Sequence, residues 1–312
     1  MKHLFTGIGI GLVFLMGWLL LAGAEKVDPG PTSQTLHQEA DLGDGLQLPQ
    51  RVRPVDLSGP FTFAGEEIPV DDNFDVKERL DQELLRNAYF HRNTILLLKL
   101  QTRYFPTIER ILAEEGVPDD LKYLAVAESG LSNATSIAGA KGVWQFMSPT
   151  GKGYGLEINS EVDERFHLEK ATRAACKYLK DYHKKFGDWR WVAAAYNMGG
   201  PNARKWRERQ RASSVFDLDI NSETMAYLFR IVALKTIMKT PSSFGYEIDP
   251  MDHYPALDRY KTVTVNKSIA NIGDFAQENV TNYRMLKVYN PWLVSGSLTV
   301  SKGNSYEVKI PE

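Results

Sequence analysis

Glu128 is the residue whose place in the sequence most favours acid–base chemistry. The i, i+3, i+4, i+7 spacing of one helix face selects three apolar residues and one carboxylate, Leu121, Leu124, Ala125 and Glu128. Gly130 ends the predicted helix, so Glu128 lies in the last turn, where the helix dipole is negative. Burial and the dipole both disfavour the ionised form, and we therefore expect a raised pKa. Such an acid can protonate a glycosidic oxygen, although a glutamate at a helix end can also be solvated or salt-bridged.

The segment that follows, NATSIAGAKGVWQFMSPTGKGYG, suits a groove that binds sugars. Its small residues and glycines let backbone approach a ligand closely, and Trp144, Gln145, Phe146 and Met147 offer stacking and amide contacts. The same segment could also be a packed turn. It contains no Asp or Glu, whereas an ordinary glycosidase needs a second carboxylate about 5 to 9.5 Å from the first. The nearest candidates for that partner lie between Glu157 and Glu164.

Other function classes find little support in the composition. The 312 residues are 43% hydrophobic and 24% charged, as in a globular protein, and a net charge of −2 argues against nucleic-acid binding. The lone cysteine, Cys176, excludes an intrachain disulfide framework and is expected to be a packed thiol. G-x-S-x-G, H-E-x-x-H and paired Cys/His motifs do not occur, so we predict neither a metal site nor a cofactor.

Helical patterns fill the middle of the chain and must position these residues. The segments with helical periodicity and end signals are FDVKERLDQELLRNA, NTILLLKLQTRYF, PTIERILAEEG, PDDLKYLAVAESG, LEKATRAACKYLKDYHKKFG, DWRWVAAAYNMGGP and SETMAYLFRIVALKTIMK. Asp75 and Glu78 have the spacing of a capping box, and Pro106 is expected to start a helix. We therefore predict an all-α domain over residues 74–245.

The N-terminus predicts export. An apolar run from Leu4 to Leu21 follows Lys2 and precedes AGAEK, which has the small-x-small pattern of a signal-peptidase site at Ala24. The run is also nearly long enough to span a bilayer, so residues 1–24 are either a cleaved signal peptide or a membrane anchor. Residues 25–73 are rich in Pro and Gly and are predicted to be a linker, with a short strand around FTFAG.

The C-terminus predicts a second, small α+β domain over residues 256–312. YKTVTVN and NSYEVKIP alternate as edge strands do, and the helical patterns SIANIGDFAQE and NYRMLKVYNP lie between them. The predicted order is therefore β-α-α-β.

Four motifs make the helical part resemble the soluble lytic transglycosylase family, glycoside hydrolase family 23, and within it the membrane-bound lytic transglycosylase D branch. They are ES at Glu128, AGAKGVWQFM at 138–147, AAYNMG at 194–199 and ETMAY at 223–227. The resemblance runs from about Arg86 to Lys239 and implies an all-α lysozyme-like fold. It further implies cleavage of the β-1,4 bond between N-acetylmuramic acid and N-acetylglucosamine, with a 1,6-anhydromuramoyl product. A single Glu acts there first as acid and then as base, so a second carboxylate is not needed.

The resemblance assigns a role to each matching residue. Glu128 becomes the acid/base and Ser129 an orienting residue beside it. The implied substrate-binding residues are Ser136, Gln145, Phe146, Met147, Tyr196, Asn197 and Tyr227. For Tyr196 and Tyr227 the alternative is core packing through the ring, with the hydroxyl bonded locally.

The tail resembles a LysM module in its element order and its NPWL sequence. It has Asn266-Lys267-Ser268-Ile269 where the usual Gly-Asp-Thr-Leu turn stands, which predicts a divergent LysM-like module and leaves open whether it binds glycan or is only structural. The expected partner is the peptidoglycan glycan strand, in the periplasm or envelope of a bacterium. Two alternatives remain at this point: a goose-type lysozyme-like hydrolase on the same fold, and a non-catalytic wall-binding or scaffold protein.

Overall fold

The helical part of the chain forms a bundle around two central helices, α3 and α8. The computed structural model describes residues 54–312. Its helices in this part are α1 (Phe74–Ala88), α2 (His91–Glu114), α3 (Lys122–Ser129), α4 (Ser148–Gly153), α5 (Leu168–Phe186), α6 (Trp189–Met198), α7 (Gly200–Gln210) and α8 (Ser222–Lys239). Helix α8 contacts α1, α3 and α6, and α2 packs against α5. Being surrounded, α8 is apolar on nearly all sides, as a buried helix must be.

Two predicted helix starts are wrong. Asn73 caps α1 by accepting hydrogen bonds from the backbone of Asp75 and Val76, so the predicted box of Asp75 with Glu78 is not the cap. Pro106 lies inside α2 rather than at the start of a new helix. One proline removes a single hydrogen bond, and the apolar residues on both sides of it, Phe105 and Ile108 among them, keep the helix in the core.

Two short helices, α4 and α7, were not predicted. Gly199 does end α6 with a φ of 83°, but Gly200 and Pro201 immediately begin α7, because proline is well suited to the first helical turn. In α4 the sequence SPTGKG is glycine-rich, and its helix again has a proline in the first turn. The predicted bounds of α8, from Ser222 to Lys239, are confirmed.

Part of the predicted linker belongs to the core. Strands β1 (Thr62–Phe63) and β2 (Glu66–Glu67) form an antiparallel hairpin, as expected around FTFAG. Phe61, Phe63 and Ile68 are buried among the bundle's apolar residues. The Lys235 ammonium of α8 donates to the carbonyl oxygen of Thr62 at 2.7 Å and to Asp120 at 2.6 Å. Residues 61–70 therefore pack against the bundle instead of forming a flexible tether, because burying their apolar side chains is favourable.

The C-terminal part has the predicted β-α-α-β order. Strands β3 (Tyr260–Val265) and β4 (Tyr306–Pro311) pair antiparallel, with Val263 opposite Val308, and helices α9 (Ile272–Glu278) and α10 (Tyr283–Tyr289) lie between them in sequence. These elements contribute most of a second apolar core, which Val162 also joins. The predicted fold class, an all-α domain followed by a small α+β module, is confirmed; the domain limits at 245 and 256 remain predictions.

The predicted signal peptide or anchor at 1–24, and the linker up to residue 53, lie outside the described residues. Among residues 54–312, none of the helices is long and apolar enough to span a bilayer.

Candidate active site

Glu128 lies at the end of α3, two residues before the backbone changes direction at Gly130. Gly130 adopts the left-handed conformation, with a φ of 60°, and its N–H donates to the Val126 carbonyl oxygen at 2.9 Å. A glycine takes this conformation without strain and so ends the helix directly after Glu128 and Ser129. The Glu128 side chain is half-buried, on the side of α3 that packs against α8.

Tyr227 of α8 holds the Glu128 carboxyl group. Its hydroxyl donates to Oε1 of Glu128 at 2.6 Å, a short bond of the kind that charged acceptors form. The Tyr227 ring is 2% exposed, so the hydroxyl has little freedom to turn elsewhere. Packing of α3 on α8 thus fixes the position of the acid.

Burial dominates the protonation of Glu128 and raises its pKa to about 7. The bond from Tyr227 and the positive charge of Arg230 oppose this shift, because both favour the carboxylate, while the negative charge of Glu223 adds to it. Glu223 and Arg230 form an ion pair at 2.9 Å, and this bond lowers the pKa of Glu223. The predicted rise in the pKa of Glu128 is confirmed in direction. The group can therefore hold or release a proton near neutral pH.

Tyr196 stands beside this acid. Its hydroxyl donates to the Trp144 carbonyl oxygen at 2.7 Å, and its ring meets that of Tyr178 edge-on at 5.1 Å. Burial first, and then the charge of Glu128, raise the pKa values of Tyr196 and Tyr227 well above the ordinary 10. Both hydroxyls therefore remain protonated donors whenever Glu128 is ionised.

Gln145 is presented by a strained loop. Its φ is 49°, in the left-handed region that non-glycine residues rarely adopt. The side-chain amide donates to the carbonyl oxygens of Gly142 at 2.8 Å and Ala134 at 3.2 Å, which closes the loop on itself. The Ser129 hydroxyl ties α3 to the same loop by donating to the Val143 carbonyl oxygen at 2.8 Å.

The other predicted binding residues differ in how they face solvent. Met147 is 43% exposed, and Asn197 and Ser136 are half-buried. The Ser136 hydroxyl accepts the Ala140 N–H at 3.0 Å, so it stabilises the loop locally. Phe146, in contrast, is 3% exposed and packs edge-on against Tyr178 in the core. We correct its assignment from substrate contact to packing, because its apolar ring is covered by the bundle.

The loop is also held by a buried ion pair that the sequence did not indicate. Arg165 binds Asp163 through two bonds of 2.8 and 2.7 Å, and the two residues are 5% and 2% exposed. A further guanidinium nitrogen of Arg165 donates to the carbonyl oxygens of Gly139 at 3.0 Å and Phe146 at 3.2 Å. An acid two residues before an arginine is not a sequence pattern that predicts a buried ion pair. The pair holds the loop only because the carbonyl oxygens of Gly139 and Phe146, from an earlier part of the chain, lie within hydrogen-bond distance of Arg165.

The carboxylates considered as partners for Glu128 are engaged elsewhere. Glu157 accepts the Tyr306 hydroxyl at 2.9 Å, and Glu161 accepts that of Ser297 at 2.6 Å. Asp163 binds Arg165, and Glu164 binds Lys170 and the Glu157 N–H. These acids, the nearest candidates in sequence for a second carboxylate, are therefore all bonded to groups other than Glu128. Within residues 54–312 there is also no cluster of His, Cys, Asp and Glu that could hold a metal ion.

Replacing Tyr227 by phenylalanine is expected to raise the pKa of Glu128 further. The substitution removes the hydroxyl that stabilises the carboxylate and leaves the ring that desolvates it. The measurement is an NMR titration of the Glu128 carboxyl carbon in both proteins. Tyr196→Phe is the matched control, since that hydroxyl bonds a backbone oxygen, and it should change the pKa less. An unchanged or lower pKa in Tyr227→Phe contradicts the assignment.

Comparison with known proteins gives two family matches and similarity over most of the chain to a curated relative. Residues 106–217 match the transglycosylase SLT domain, and residues 261–312 match the soluble lytic transglycosylase C-terminal LysM-like domain. Over 260 residues the chain is 28% identical to membrane-bound lytic murein transglycosylase D of Escherichia coli strain K12. That alignment covers 81% of this chain and 55% of the relative, so the chain spans about half the length of the curated relative it matches.

Solved structures show partial likeness. An inactive mutant of lytic transglycosylase Slt from Pseudomonas aeruginosa is 22% identical with a TM-score of 0.39, over 50% of this chain and 28% of that one. The 70 kDa soluble lytic transglycosylase of Escherichia coli is 17% identical, also with a TM-score of 0.39, over 60% of this chain and 34% of that one.

Proposed function

We propose that this chain, which carries a transglycosylase SLT domain followed by a C-terminal LysM-like domain, is a peptidoglycan lytic transglycosylase. Its substrate in this proposal is the β-1,4 bond between N-acetylmuramic acid and N-acetylglucosamine. Glu128 is the acid and base, and cleavage is non-hydrolytic. The observation that carries the proposal is one carboxyl group with a pKa of about 7, bonded to Tyr227 at 2.6 Å.

In the first step, protonated Glu128 donates its proton to the glycosidic oxygen while the bond between that oxygen and C1 breaks. A pKa near 7 suits this step, because the acid is both substantially protonated at neutral pH and strong enough to give the proton up. The carboxylate that results accepts the Tyr227 hydroxyl, which remains protonated because of its raised pKa. The site can therefore hold the new negative charge without a metal ion.

In the second step, the Glu128 carboxylate removes the proton from the C6 hydroxyl of the muramoyl residue. The oxygen of that hydroxyl bonds to C1 and forms the 1,6-anhydro ring, so the substrate supplies the nucleophile and Glu128 regains its proton. The substrate N-acetyl group stabilises C1 between the two steps. Water is not consumed, and the enzyme ends in the protonation state in which it began.

The charges around Glu128 support a mechanism with a single carboxylate. Glu223 is the carboxylate of the described region whose charge acts on Glu128, and it is paired with Arg230. The acidic residues of 157–164 are bonded to other partners. A hydrolase that inverts or uses a protein nucleophile needs a second available carboxylate at about 5 to 9.5 Å. This arrangement favours the substrate's own C6 hydroxyl as the nucleophile, in place of water or a second carboxylate of the protein.

The groove proposed for the glycan strand is lined by Gln145, Met147, Asn197 and Tyr196, and by Ser136 from the loop that precedes Gln145. Tyr196 and Gln145 are joined through the backbone of Trp144, the residue before Gln145, so they would face the sugar as one unit. Ser129 orients α3 against the loop. The location proposed for the protein is the bacterial periplasm or envelope, where peptidoglycan lies and where the name of the Escherichia coli relative places that protein on a membrane.

Digestion of purified sacculi tests this proposal directly. Mass spectrometry of the released muropeptides should show 1,6-anhydromuramoyl ends. Reducing ends at the same bond would instead show a hydrolase. Binding of sacculi without release of any product would show a wall-binding protein.

The pH dependence of the release is a further expected result. Glu128 must be protonated to begin the reaction, and its pKa is about 7, so the rate should be near its plateau at pH 6. Above pH 7 it should fall about tenfold for each pH unit. Initial rates of sacculus solubilisation between pH 5 and 9 give the profile. A rate that increases from pH 6 to pH 9 contradicts the role of Glu128 as the acid.

A further inference from the structure

The segment 157–169, here called the linking segment, is shared between the helical bundle and the LysM-like domain. Val162 is fully buried in the apolar core of the LysM-like domain, although it precedes that domain by almost 100 residues. It forms a β-bridge with Leu293, while the Asp163 N–H donates to the Trp292 carbonyl oxygen and the Val294 N–H donates to that of Glu161, each at 2.9 Å. The LysM-like domain is therefore docked on the bundle by main-chain bonds as well as by side chains.

Side chains extend this docking along the linking segment. Glu161 accepts the Ser297 hydroxyl at 2.6 Å and the Thr299 N–H at 2.7 Å, and these bonds lower its pKa. The His167 ring stacks on that of Trp292, with centroids 6.0 Å apart, and Glu169 forms an ion pair with Lys309. Both ends of the segment are thus held by the C-terminal module.

On its other side, the linking segment holds the loop 139–146, which presents Gln145. The Arg165 guanidinium, which Asp163 holds, donates to carbonyl oxygens at both ends of this loop, Gly139 and Phe146. The Gly142 backbone lies directly against the Arg165 carbonyl group, at a distance that leaves no space even for a Cβ atom. Hydrogen bonds are stronger in a low-dielectric interior than in water. We therefore expect a displacement of Arg165 to displace the loop that it bonds.

The loop in turn contacts two neighbours of Glu128. Its Val143 carbonyl oxygen accepts the hydroxyl of Ser129, the residue after Glu128, and its Trp144 carbonyl oxygen accepts that of Tyr196. A continuous series of contacts therefore runs from the LysM-like core through Val162, Arg165 and the loop to the neighbours of Glu128.

We propose that the LysM-like domain is a positioning element for the active-site loop, acting through Val162 and the Asp163–Arg165 pair. The inference rests on the function proposed above and adds a role for the C-terminal module other than holding glycan. Its docking surface is the catalytic part of the same chain, and Arg165 is a positioning residue. Weakening the contacts between the LysM-like domain and the linking segment should lower kcat with little change in KM. Misplaced groups around the acid weaken stabilisation of the transition state, whereas binding of the glycan strand along the groove is largely kept.

A pair of valine substitutions in the full-length chain tests this role. Val162→Ala and Val308→Ala remove the same atoms from positions that are both fully buried in the LysM-like core, but only Val162 lies in the linking segment. We expect Val162→Ala to lower kcat about fivefold or more, and Val308→Ala to leave kcat within about twofold of wild type. Equal losses of kcat in the two variants, an effect on KM alone, or no effect of Val162→Ala would overturn the proposal.

Combination with Arg165→Ala shows whether Val162 acts through Arg165. The loss of kcat in Val162→Ala should be largely absent in the Arg165→Ala background, whereas the small effect of Val308→Ala should be multiplicative. If Val162→Ala does not fold, Glu161→Gln replaces it, since this change weakens two bonds to the module and leaves the core intact. If the loss of kcat in Val162→Ala or Glu161→Gln multiplies with that of Arg165→Ala, the linking segment does not act through Arg165, which contradicts the proposal.

Hydrogen exchange separates this inference from the proposed function. The Phe146 N–H donates to the Lys141 carbonyl oxygen and the Gly142 N–H to that of Ala134, so both amides report on the loop. We expect these amides to exchange faster in Val162→Ala than in Val308→Ala, whether or not the wild type cleaves sacculi. An inactive wild type would refute the proposed function alone, whereas equal exchange in the two variants would refute the positioning role alone.

Discussion

Glu128→Gln is expected to lower kcat on sacculi by about 10⁴-fold, at the upper end of the effect of one acid–base group. The amide cannot donate a proton to the glycosidic oxygen, and it cannot accept one from the C6 hydroxyl, so both steps are lost together. Since the acidic residues of 157–164 and Glu223 have other partners, they do not replace it. The measurement is the yield of muropeptides against enzyme concentration, over hours.

Binding provides the control for this substitution. Gln is close in shape to Glu and can still accept the Tyr227 hydroxyl, so binding of sacculi in a sedimentation assay should stay within about threefold of wild type. Glu208→Gln, on the exposed surface of α7, makes the same chemical change and should retain full turnover. If Glu128→Gln releases muropeptides at the wild-type rate, Glu128 is not the acid. If neither protein releases any, the chain is a binding module.

The same substitution should stabilise the protein at high pH. The pKa of Glu128 is raised from 4.5 to about 7 in the folded state, so the folded chain binds this proton more tightly than the unfolded chain does. Stability is therefore lost as the pH rises from 4.5 to 7, by up to about 3 kcal/mol. Glu128→Gln removes this loss, and its Tm should exceed that of wild type at pH 8 but not at pH 4. An equal difference in Tm at both pH values contradicts a buried, titrating acid.

Gly142→Ala is expected to lower kcat by about a hundredfold and to destabilise the fold by several kcal/mol. An added Cβ at this position would lie 1.8 Å from the Arg165 carbonyl oxygen, and the φ of 78° is itself unfavourable for alanine. Because the obstacle is backbone, and not the end of a flexible side chain, the loop must move away from Arg165. Gln145 and the Trp144 carbonyl oxygen, which accepts Tyr196, move with it.

Gly139→Ala is the matched control for this collision. Gly139 has a φ of 86° in the same loop, but an added Cβ would meet no atom within 4 Å. It should therefore cost only the conformational strain of about 1 kcal/mol and reduce kcat far less. Urea denaturation and kcat are measured for both variants. Equal effects of the two would show that the left-handed conformation, rather than contact with Arg165, sets the shape of the loop.

The features that could be predicted from sequence are those fixed by neighbours along the chain. The end of α3 at Gly130, the full extent of α8 and the β-α-α-β order of the C-terminal part follow from local periodicity and end signals. The helical phase that places Glu128 with apolar residues also predicted the direction of its pKa shift. The two errors have different causes: Asn73 is the N-cap of α1 in place of Asp75, whereas Pro106 lies within α2, which continues through it.

The burial of some residues could not be predicted from the sequence. Phe146 belongs to a motif with Gln145 and Met147, yet its ring is in the core while Met147 is exposed. Residues 61–70 belong to a segment with the composition of a linker, but their aromatic side chains pack into the bundle. Composition and motif membership describe a residue type, whereas burial is decided by which other elements arrive at the same place.

By itself, then, the sequence determined the helical bundle, the small C-terminal module and the place of a lone acid at the end of α3. Only the tertiary structure decided how that acid is held. Tyr227 follows Glu128 by 99 residues, and Arg165 bonds a loop at positions 26 and 19 residues before it. Val162 enters a core formed mainly by residues after 260. Local patterns specify which faces are apolar, but hydrogen bonds between distant residues exist only once those faces have packed against each other.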